Sequence, residues 1–332
     1  MTAKPDITRP RRSPHETSSP DAATPGPSDA RAAIAASGLD AALGAIGDRW
    51  SMSVIRSAFL GARQFDQFLH HLDVPKQTLS TRLKELTALG VLAPRPYQSN
   101  PVRLAYRLSP VGLKLYPNAL ASWRWERRWA SGPGIMPLPR TLHHSACGAP
   151  FVPDCVCASC RAPVKLADLD FDILQPSSGD ARLFRARRWS NRIEATGEAR
   201  VSLAFGLSVD RWALLVIAAV MLGRRRFDAL QAALGVGSGV LANRLALLCR
   251  SGLLSRTDDP DDGRRVNYAL TPPSEDLLAC LLTLSAWGRD MFAAGHDTIA
   301  IRHRSCGARF EPLMTCNHCT GELAPRAVTF TW

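Results

Sequence analysis

Nine cysteines stand in this 332-residue chain, and six of them fall into two copies of one pattern. His144-x2-Cys147-x9-Cys157-x2-Cys160 returns as His303-x2-Cys306-x9-Cys316-x2-Cys319. Two close pairs of donors, separated by a loop able to fold back, suit a tetrahedral zinc ion. Three thiolates and one imidazole fill all four positions and leave none for a substrate water, so such a site is structural rather than catalytic. The spacing therefore predicts two zinc ions per chain, one closed by the four ligands of each copy. A metal of this kind offsets the small core that a segment of about 30 residues can bury. The other chemistry open to Cys157-x2-Cys160 and Cys316-x2-Cys319 is thiol redox exchange, but no thioredoxin-like βαβ pattern surrounds them. His143 and Cys155 have no counterparts in the second copy and are left out of the ligand sets. Cys249 and Cys280 lie in apolar helical stretches and read as core thiols.

The ligands belong to a longer duplication. Asp48-Arg49-Trp50 returns as Asp210-Arg211-Trp212, a shift of 162 positions. Phe65-Asp66, Leu79, Arg82-Leu83, Leu86, Gly90, Leu92, Tyr106, Leu108 and Trp125 all return in the same register. Between Cys147 and Cys306 the shift is 159, so a connector of variable length separates two modules inside each repeat.

The first module of each repeat reads as helix, turn, helix, hairpin. Helical spacing runs from Leu39 to Leu60 and breaks near Gly47-Asp48, where Asp48 can cap the helix that follows. A short helix spans about Gln64 to Leu72, and a second runs from about Pro75 to Leu89 and stops at Gly90. On that second helix Leu79, Leu83 and Leu86 point inward. Gln77, Thr81 and Lys84 fall on the opposite face, with Lys76, Thr78, Ser80 and Arg82 around them. Polar and basic side chains at the start of a helix suit the major groove, where they can reach base edges and phosphates. A hairpin follows, Val91 to Arg95 out and Arg103 to Leu108 back, with Arg95 and Arg103 placed as a wing would place them. One long helix from about Val111 to Trp129 closes the unit. The second repeat keeps the frame with fewer polar groups. Ser238, Asn243, Arg244 and Arg250 lie on its reading helix, Arg264 and Arg265 on its wing, and its closing helix spans about Glu275 to Trp287.

The net charge of +12 points to a polyanionic partner, and no amphipathic cationic helix favours a membrane over nucleic acid. No apolar run reaches the length of about 18 residues that crosses a bilayer, and no signal-peptide core opens the chain, so a cytoplasmic, nucleoid-associated protein is expected.

Four blocks carry a family resemblance. Gly47-Asp48-Arg49-Trp50, Arg63-Gln64-Phe65-Asp66-Gln67-Phe68, Leu79-Ser80-Thr81-Arg82-Leu83-Lys84-Glu85-Leu86 and Tyr106-Arg107-Leu108-Ser109-Pro110-Val111-Gly112 resemble the HxlR family of winged-helix transcription regulators. The resemblance covers about residues 37–130 well and 199–292 more loosely. It implies sequence-specific binding to double-stranded DNA, pairing through terminal helices, repression or activation of nearby genes and no enzymatic activity. Some family members sense electrophiles through a cysteine thirteen residues before the tryptophan. Ser37 and Ala199 occupy those positions here, so thiol sensing is not expected at that site, and any small-molecule effector is of unknown kind.

The expected fold is mainly α with small β wings: two winged helix-turn-helix domains, each followed by a small zinc-binding β-type module. Residues 1–30 form a disordered tail, 31–136 the first winged domain, 141–171 the first metal module, 172–198 a linker, 199–296 the second winged domain and 300–332 the second module. The two winged domains are expected to pair as an intramolecular pseudo-dimer on double-stranded DNA, with a homodimer of the whole chain as the rival. A protein-interaction scaffold is the alternative function, ahead of a redox protein.

Overall fold

A computed structural model describes residues 27–130, 138–174, 211–258, 265–292 and 297–332. Residues 1–26 of the expected tail, most of the linker (175–198), the opening of the second winged domain and the acidic wing tip with Arg264 lie outside the described residues.

Helix α1 (Pro27–Ala35) precedes α2 (Gly38–Ile46) and α3 (Arg49–Phe59). The expected break at Gly47-Asp48 is present. The Asp48 carboxylate accepts the amides of Trp50 and Ser51, which α3 would otherwise leave unpaired. Helices α4 (Phe65–Leu72) and α5 (Lys76–Ala88) flank a turn at Asp73, whose φ of 44° reverses the chain before Pro75. The wing is longer than its alternation indicated: β1 (Leu92–Ser99) pairs antiparallel with β2 (Val102–Leu108). The closing helix is two helices, α6 (Pro110–Leu113) and α7 (Tyr116–Trp129). Pro117 explains the split: it has no amide to continue α6 but fits the first turn of a new helix.

The second repeat follows the same plan with α8 (Arg211–Met221), α9 (Phe227–Leu234), α10 (Ser238–Arg250), strands β7 (Leu254–Asp258) and β8 (Val266–Leu270), then α11 (Pro272–Asp276) and α12 (Leu278–Phe292). Gly235, at φ 61°, makes the turn that Asp73 makes in the first copy. Helices α9 and α10 meet at 118°, the crossing of a helix-turn-helix. Among the described residues no single helix is long and apolar enough to cross a membrane.

The two repeats share one core. Leu39, Leu43 and Ile46 of α2 join Leu281, Leu284 and Trp287 of α12 in a single buried cluster with α3 and α8. Gly38 and Gly288 permit the approach: a Cβ on Gly288 would lie 1.9 Å from the Gly38 carbonyl oxygen. The closing helices meet through reciprocal bonds. Trp125 Nε1 donates to the Pro273 carbonyl at 2.7 Å, and its repeat mate Trp287 donates to the Val111 carbonyl at 3.2 Å. Each tryptophan thus binds the start of the other repeat's closing segment, as a pseudo-two-fold requires. Asp40 of α2 accepts Arg211 of α8 through both carboxylate oxygens at 2.7 and 2.9 Å. Helix α1 lies against α9, and Thr298 Oγ1 donates to the Ala33 carbonyl at 2.6 Å. Residues 27–30, expected in a disordered tail, therefore begin a helix that is docked on the second repeat.

The strands beyond the winged domains depart from expectation. Strand β5 (Pro153–Cys157) pairs with β10 (Pro312–Cys316), and β6 (Leu169–Ile173) with β9 (Ile299–His303). Strand β11 (Val328–Thr331) pairs with β3 (Thr141–His144), which also pairs with the two-residue β4 (Pro150–Phe151). Of these strand pairs among the described residues, only β3–β4 lies inside one repeat. Segments 141–171 and 300–332 are thus two halves of one interlocked unit rather than two separate modules. Strands of four or five residues give each half too little sheet to close alone, and each half covers the other's open edges. Residues 172 and 173, assigned to the linker, belong to β6.

Candidate metal centres and nucleic-acid interface

The interlocking redistributes the metal ligands. His144 and Cys147 converge with Cys316 and Cys319, and Cys157 and Cys160 converge with His303 and Cys306. Within each group the donor atoms all lie within 4.8 Å of one another. All eight expected ligands take part, but the expected pairing within each repeat is wrong: every centre draws two ligands from each copy. The cause is strand exchange. Strand β3 ends at His144 beside β11, and β10 ends at Cys316 beside β5, so the tips carrying one repeat's first pair meet the other repeat's second pair.

In the first centre His144 Nδ1 lies 3.2 Å from Cys319 Sγ and 3.7 Å from Cys147 Sγ. In the second, His303 Nδ1 lies 3.2 Å from Cys160 Sγ and 3.4 Å from Cys306 Sγ, and Cys157 Sγ lies 4.0 Å from Cys306 Sγ. Zinc–sulfur bonds of about 2.3 Å in a tetrahedron put sulfurs about 3.8 Å apart, so both sets fit such an ion. Both rings present Nδ1 to the cluster. His303 Nε2 is buried with no hydrogen-bond partner among the described residues, so this ring lacks the acceptor that usually orients a metal-bound imidazole.

The local turns are built for thiolates. Gly148 and Gly307, each at φ 68°, follow Cys147 and Cys306, while Arg161 and Thr320, at φ 61° and 59°, follow Cys160 and Cys319. A left-handed residue after the second donor turns backbone amides toward sulfur. The amide of Ala149 holds the Cys147 thiol below its ordinary range. Burial pushes Cys157 up, but the amides of Cys160 and Ser159 outweigh it and leave this thiol lowered too. The second thiol of each Cys-x2-Cys pair goes the other way: the amides of Ala162 and Gly321 lower Cys160 and Cys319, but desolvation and the neighbouring thiols outweigh them and leave both raised. Outside the ligand sets, burial pushes Cys155 and Cys280 up to about 12, the environment of inert thiols. All the ladders around the Cys-x2-Cys pairs are antiparallel, so no βαβ redox unit surrounds them among the described residues.

The reading helices present the faces their spacing predicts. On α5, Leu79, Leu83 and Leu86 are buried, while Lys76, Gln77, Thr81 and Lys84 are exposed. Thr78 and Ser80 are half-buried at the edges, and Thr81 Oγ1 donates to the Gln77 carbonyl at 3.0 Å. Arg82, expected among the DNA contacts, is half-buried and tied to Asp48 at 3.2 Å and Glu85 at 2.8 Å. It braces α5 against the cap of α3. Arg95 and Arg103 are exposed on the wing strands. The wing is fixed to the helices, since Tyr106 N donates to the Arg63 carbonyl at 2.7 Å, and Tyr268 N to the Arg225 carbonyl at 2.8 Å. On α10, Ser238, Asn243 and Arg250 are exposed and Arg244 is half-buried. Gly239, Val240, Ala242 and Ala246 share that exposed face, which makes it poorer in hydrogen-bonding groups. Arg265 is exposed at the base of the second wing.

Two helix-turn-helix units, each with a hairpin wing and an exposed polar reading face, define a winged-helix DNA-binding regulator. The HxlR-like helix-turn-helix family model matches residues 45–132 and again 207–296, together more than half of the chain. The chain belongs to that family and carries its domain twice. It is 36% identical over 141 residues to an uncharacterized HTH-type transcriptional regulator of Mycobacterium bovis, a match covering 42% of this chain and 87% of the relative. A similar regulator of Mycobacterium tuberculosis is 35% identical over 119 residues, 36% of this chain and 74% of its own. One from Bacillus subtilis is 32% identical over 92 residues, 27% of this chain and 85% of its own.

Proposed function

We propose that this chain is a cytoplasmic, nucleoid-associated repressor that binds one double-stranded DNA site with two winged helices paired inside a single polypeptide. The observation that carries the reading is the reciprocal bonding of Trp125 and Trp287 across a pseudo-two-fold, which joins two winged domains whose reading helices are both exposed. Paired winged helices present their reading helices about 34 Å apart, one turn of DNA. Gln77, Thr81 and Lys84, with Lys76, Thr78 and Ser80, read the first half-site, and Arg95 and Arg103 hold its backbone. Asn243 and Arg250, with Ser238, Arg264 and Arg265, serve the second.

The two Cys3His sets hold two structural zinc ions. His144, Cys147, Cys316 and Cys319 hold one, and Cys157, Cys160, His303 and Cys306 the other. Zinc supplies only cross-linking here, because the protein donors fill its coordination shell. Selection of bound DNA from a random pool, followed by footprinting, tests the reading. A protected site of two half-sites one turn apart is expected, along with about two zinc ions per chain by elemental analysis. Failure to enrich any duplex would overturn DNA reading and favour a protein-interaction scaffold. Protection of the first half-site alone would assign that scaffold role to the second repeat, whose exposed Val240 already suits protein contact.

A further inference from the structure

A cavity of about 520 Å³ opens beside α3 and α7 of the first repeat. Its walls are mainly apolar, with Met52, Phe59, Leu120 and Phe330 among them; the Arg56–Glu126 ion pair also lines it, its carboxylate neutralised by Arg56, and Arg63, Arg107 and Arg326 line it as well. None of these last three arginines has a carboxylate partner among the described residues. The Arg63 guanidinium is held in place by bonds from Nη1 to the Ala58 and Ala62 carbonyls at 2.5 and 2.8 Å, and burial and the charge of Arg107 both disfavour its cation, a cost that an anion would offset.

The duplication supplies an internal comparison. The matching place in the second repeat, between α8 and α12, holds only about 70 Å³, because Ile34, Ser37 and Leu39 of the α1–α2 segment fill it. That filling depends on the close approach of Gly38 to Gly288. In the shift of 162, the positions that would repeat the contact around the first cavity are Arg200 and Glu126. Neither position is a glycine, so the sequence lacks the pair that permits the close approach of Gly38 to Gly288. The lining has diverged as well: Arg107 corresponds to Ala269, and Arg326, at the shift of 159, to Ala167. The first copy has kept a cavity and gained positive charge where the second copy is closed and apolar.

We propose that this cavity binds a small organic anion, with its carboxylate or sulfonate at Arg63, Arg107 and Arg326 and an aromatic or branched body against Met52, Phe59, Leu120 and Phe330. Its volume lies in the range of about 300–1,000 Å³ typical of small-molecule sites. An occupant touches the reading unit directly. Arg107 belongs to wing strand β2, and the carbonyl of Arg63 accepts the Tyr106 amide of that strand just before α4 begins. Occupancy therefore biases the first reading head, a consequence that rests on the DNA-binding function proposed above.

Titration of the full-length, metal-loaded protein with 1-anilinonaphthalene-8-sulfonate, followed by fluorescence, tests the site. One saturable site per chain is expected, displaced by 4-phenylbutyrate. Arg107→Ala should weaken it at least tenfold, and Ala119→Trp, which fills the cavity from α7, should abolish it. Arg256→Ala on the second wing should leave it unchanged, with circular dichroism confirming that each variant is folded. Absence of a saturable site, or wild-type binding by Arg107→Ala, would overturn the proposal. So would a benzoylphenylalanine placed at position 119 that cross-links to residues 199–208, because the chain's own segment would then be the occupant. The consequence is read separately: saturating 4-phenylbutyrate should change affinity for the selected DNA at least threefold. Binding without that change would leave the site standing and sink its control of DNA reading.

Discussion

The thiols and imidazoles of the two centres show what spacing can and cannot convey at the scale of single residues. Ligand identity is legible, because a histidine and three cysteines recur at identical separations. Partnership is not. Exchanging the second pairs between two identical copies leaves every separation along the chain unchanged, so pairing within a repeat and pairing across repeats look alike. The exchange makes a sharp prediction. Cys147→Ser combined with Cys316→Ser damages one centre, and elemental analysis should find about one zinc per chain. Cys147→Ser combined with Cys157→Ser damages both and should leave near zero. The reverse order would restore pairing within each repeat. A second residue-scale prediction concerns Glu126. Burial raises its pKa even though Arg56 lies 2.8 Å away and opposes the shift. A carboxyl with a raised folded pKa binds its proton more tightly folded than unfolded. The stability it contributes is therefore complete below the ordinary carboxylate pKa of about 4.5 and is lost as pH rises through the raised value. Urea unfolding between pH 5 and 8 should accordingly show a flatter pH profile for Glu126→Gln than for wild type. Parallel profiles would show that Glu126 does not titrate differently on folding.

Elements were legible where local chemistry decides them. The cap at Asp48, the turn before Pro75 and the stop at Gly90 all mark real boundaries, because each depends on a residue's own backbone preference or hydrogen bonding. The closing helices were read as continuous because their apolar period runs through the breaks at Leu115 and Leu277; Pro117 follows the first break, whereas no proline follows the second. The contact of α2 with α12 was not legible at all, since two distant glycines announce nothing until they meet. Its energetics can be checked with a matched pair. Gly288→Ala forces a Cβ to within 1.9 Å of a carbonyl oxygen and should cost about 1–3 kcal/mol through forced backbone shifts. Gly44→Ala, on the partner helix α2, meets nothing within 4 Å and should stabilise by about 0.4–1 kcal/mol through the unfolded chain. Equal effects in thermal unfolding would mean that the crossing is looser than its geometry. The reading helices carry a further ranking. Gln77→Ala should lose about 1–3 kcal/mol of discrimination on the selected DNA, and Asn243→Ala less, because its neighbours on α10 are small or apolar. Equal losses would make the two heads equivalent readers.

At the scale of the whole molecule, a single chain has the parts of a symmetric dimer without its symmetry. The two winged domains share a core, the closing segments exchange tryptophan hydrogen bonds, and the metal modules exchange strands and ligands. Each contact that a two-fold dimer would make twice between chains is made here within one polypeptide, where loss of one partner by dilution is impossible. Covalent joining also frees the copies to diverge. Glu126 faces Arg56 in one half where Gly288 and Ala218 stand in the other, and the reading faces differ in the same way. A homodimer must present identical faces to DNA and favours a palindrome. This chain presents unlike faces, so its preferred site should be two unlike half-sites about one turn apart. Light scattering on the free protein should give the mass of one chain, 36.1 kDa. On the selected duplex, the complex should contain one chain. Inverting one half-site should weaken binding, whereas making both halves copies of the first should favour only the first head. A stable two-chain species on a palindromic site would show instead that the fused pair acts as one half of a larger symmetric dimer, with four winged helices on the DNA.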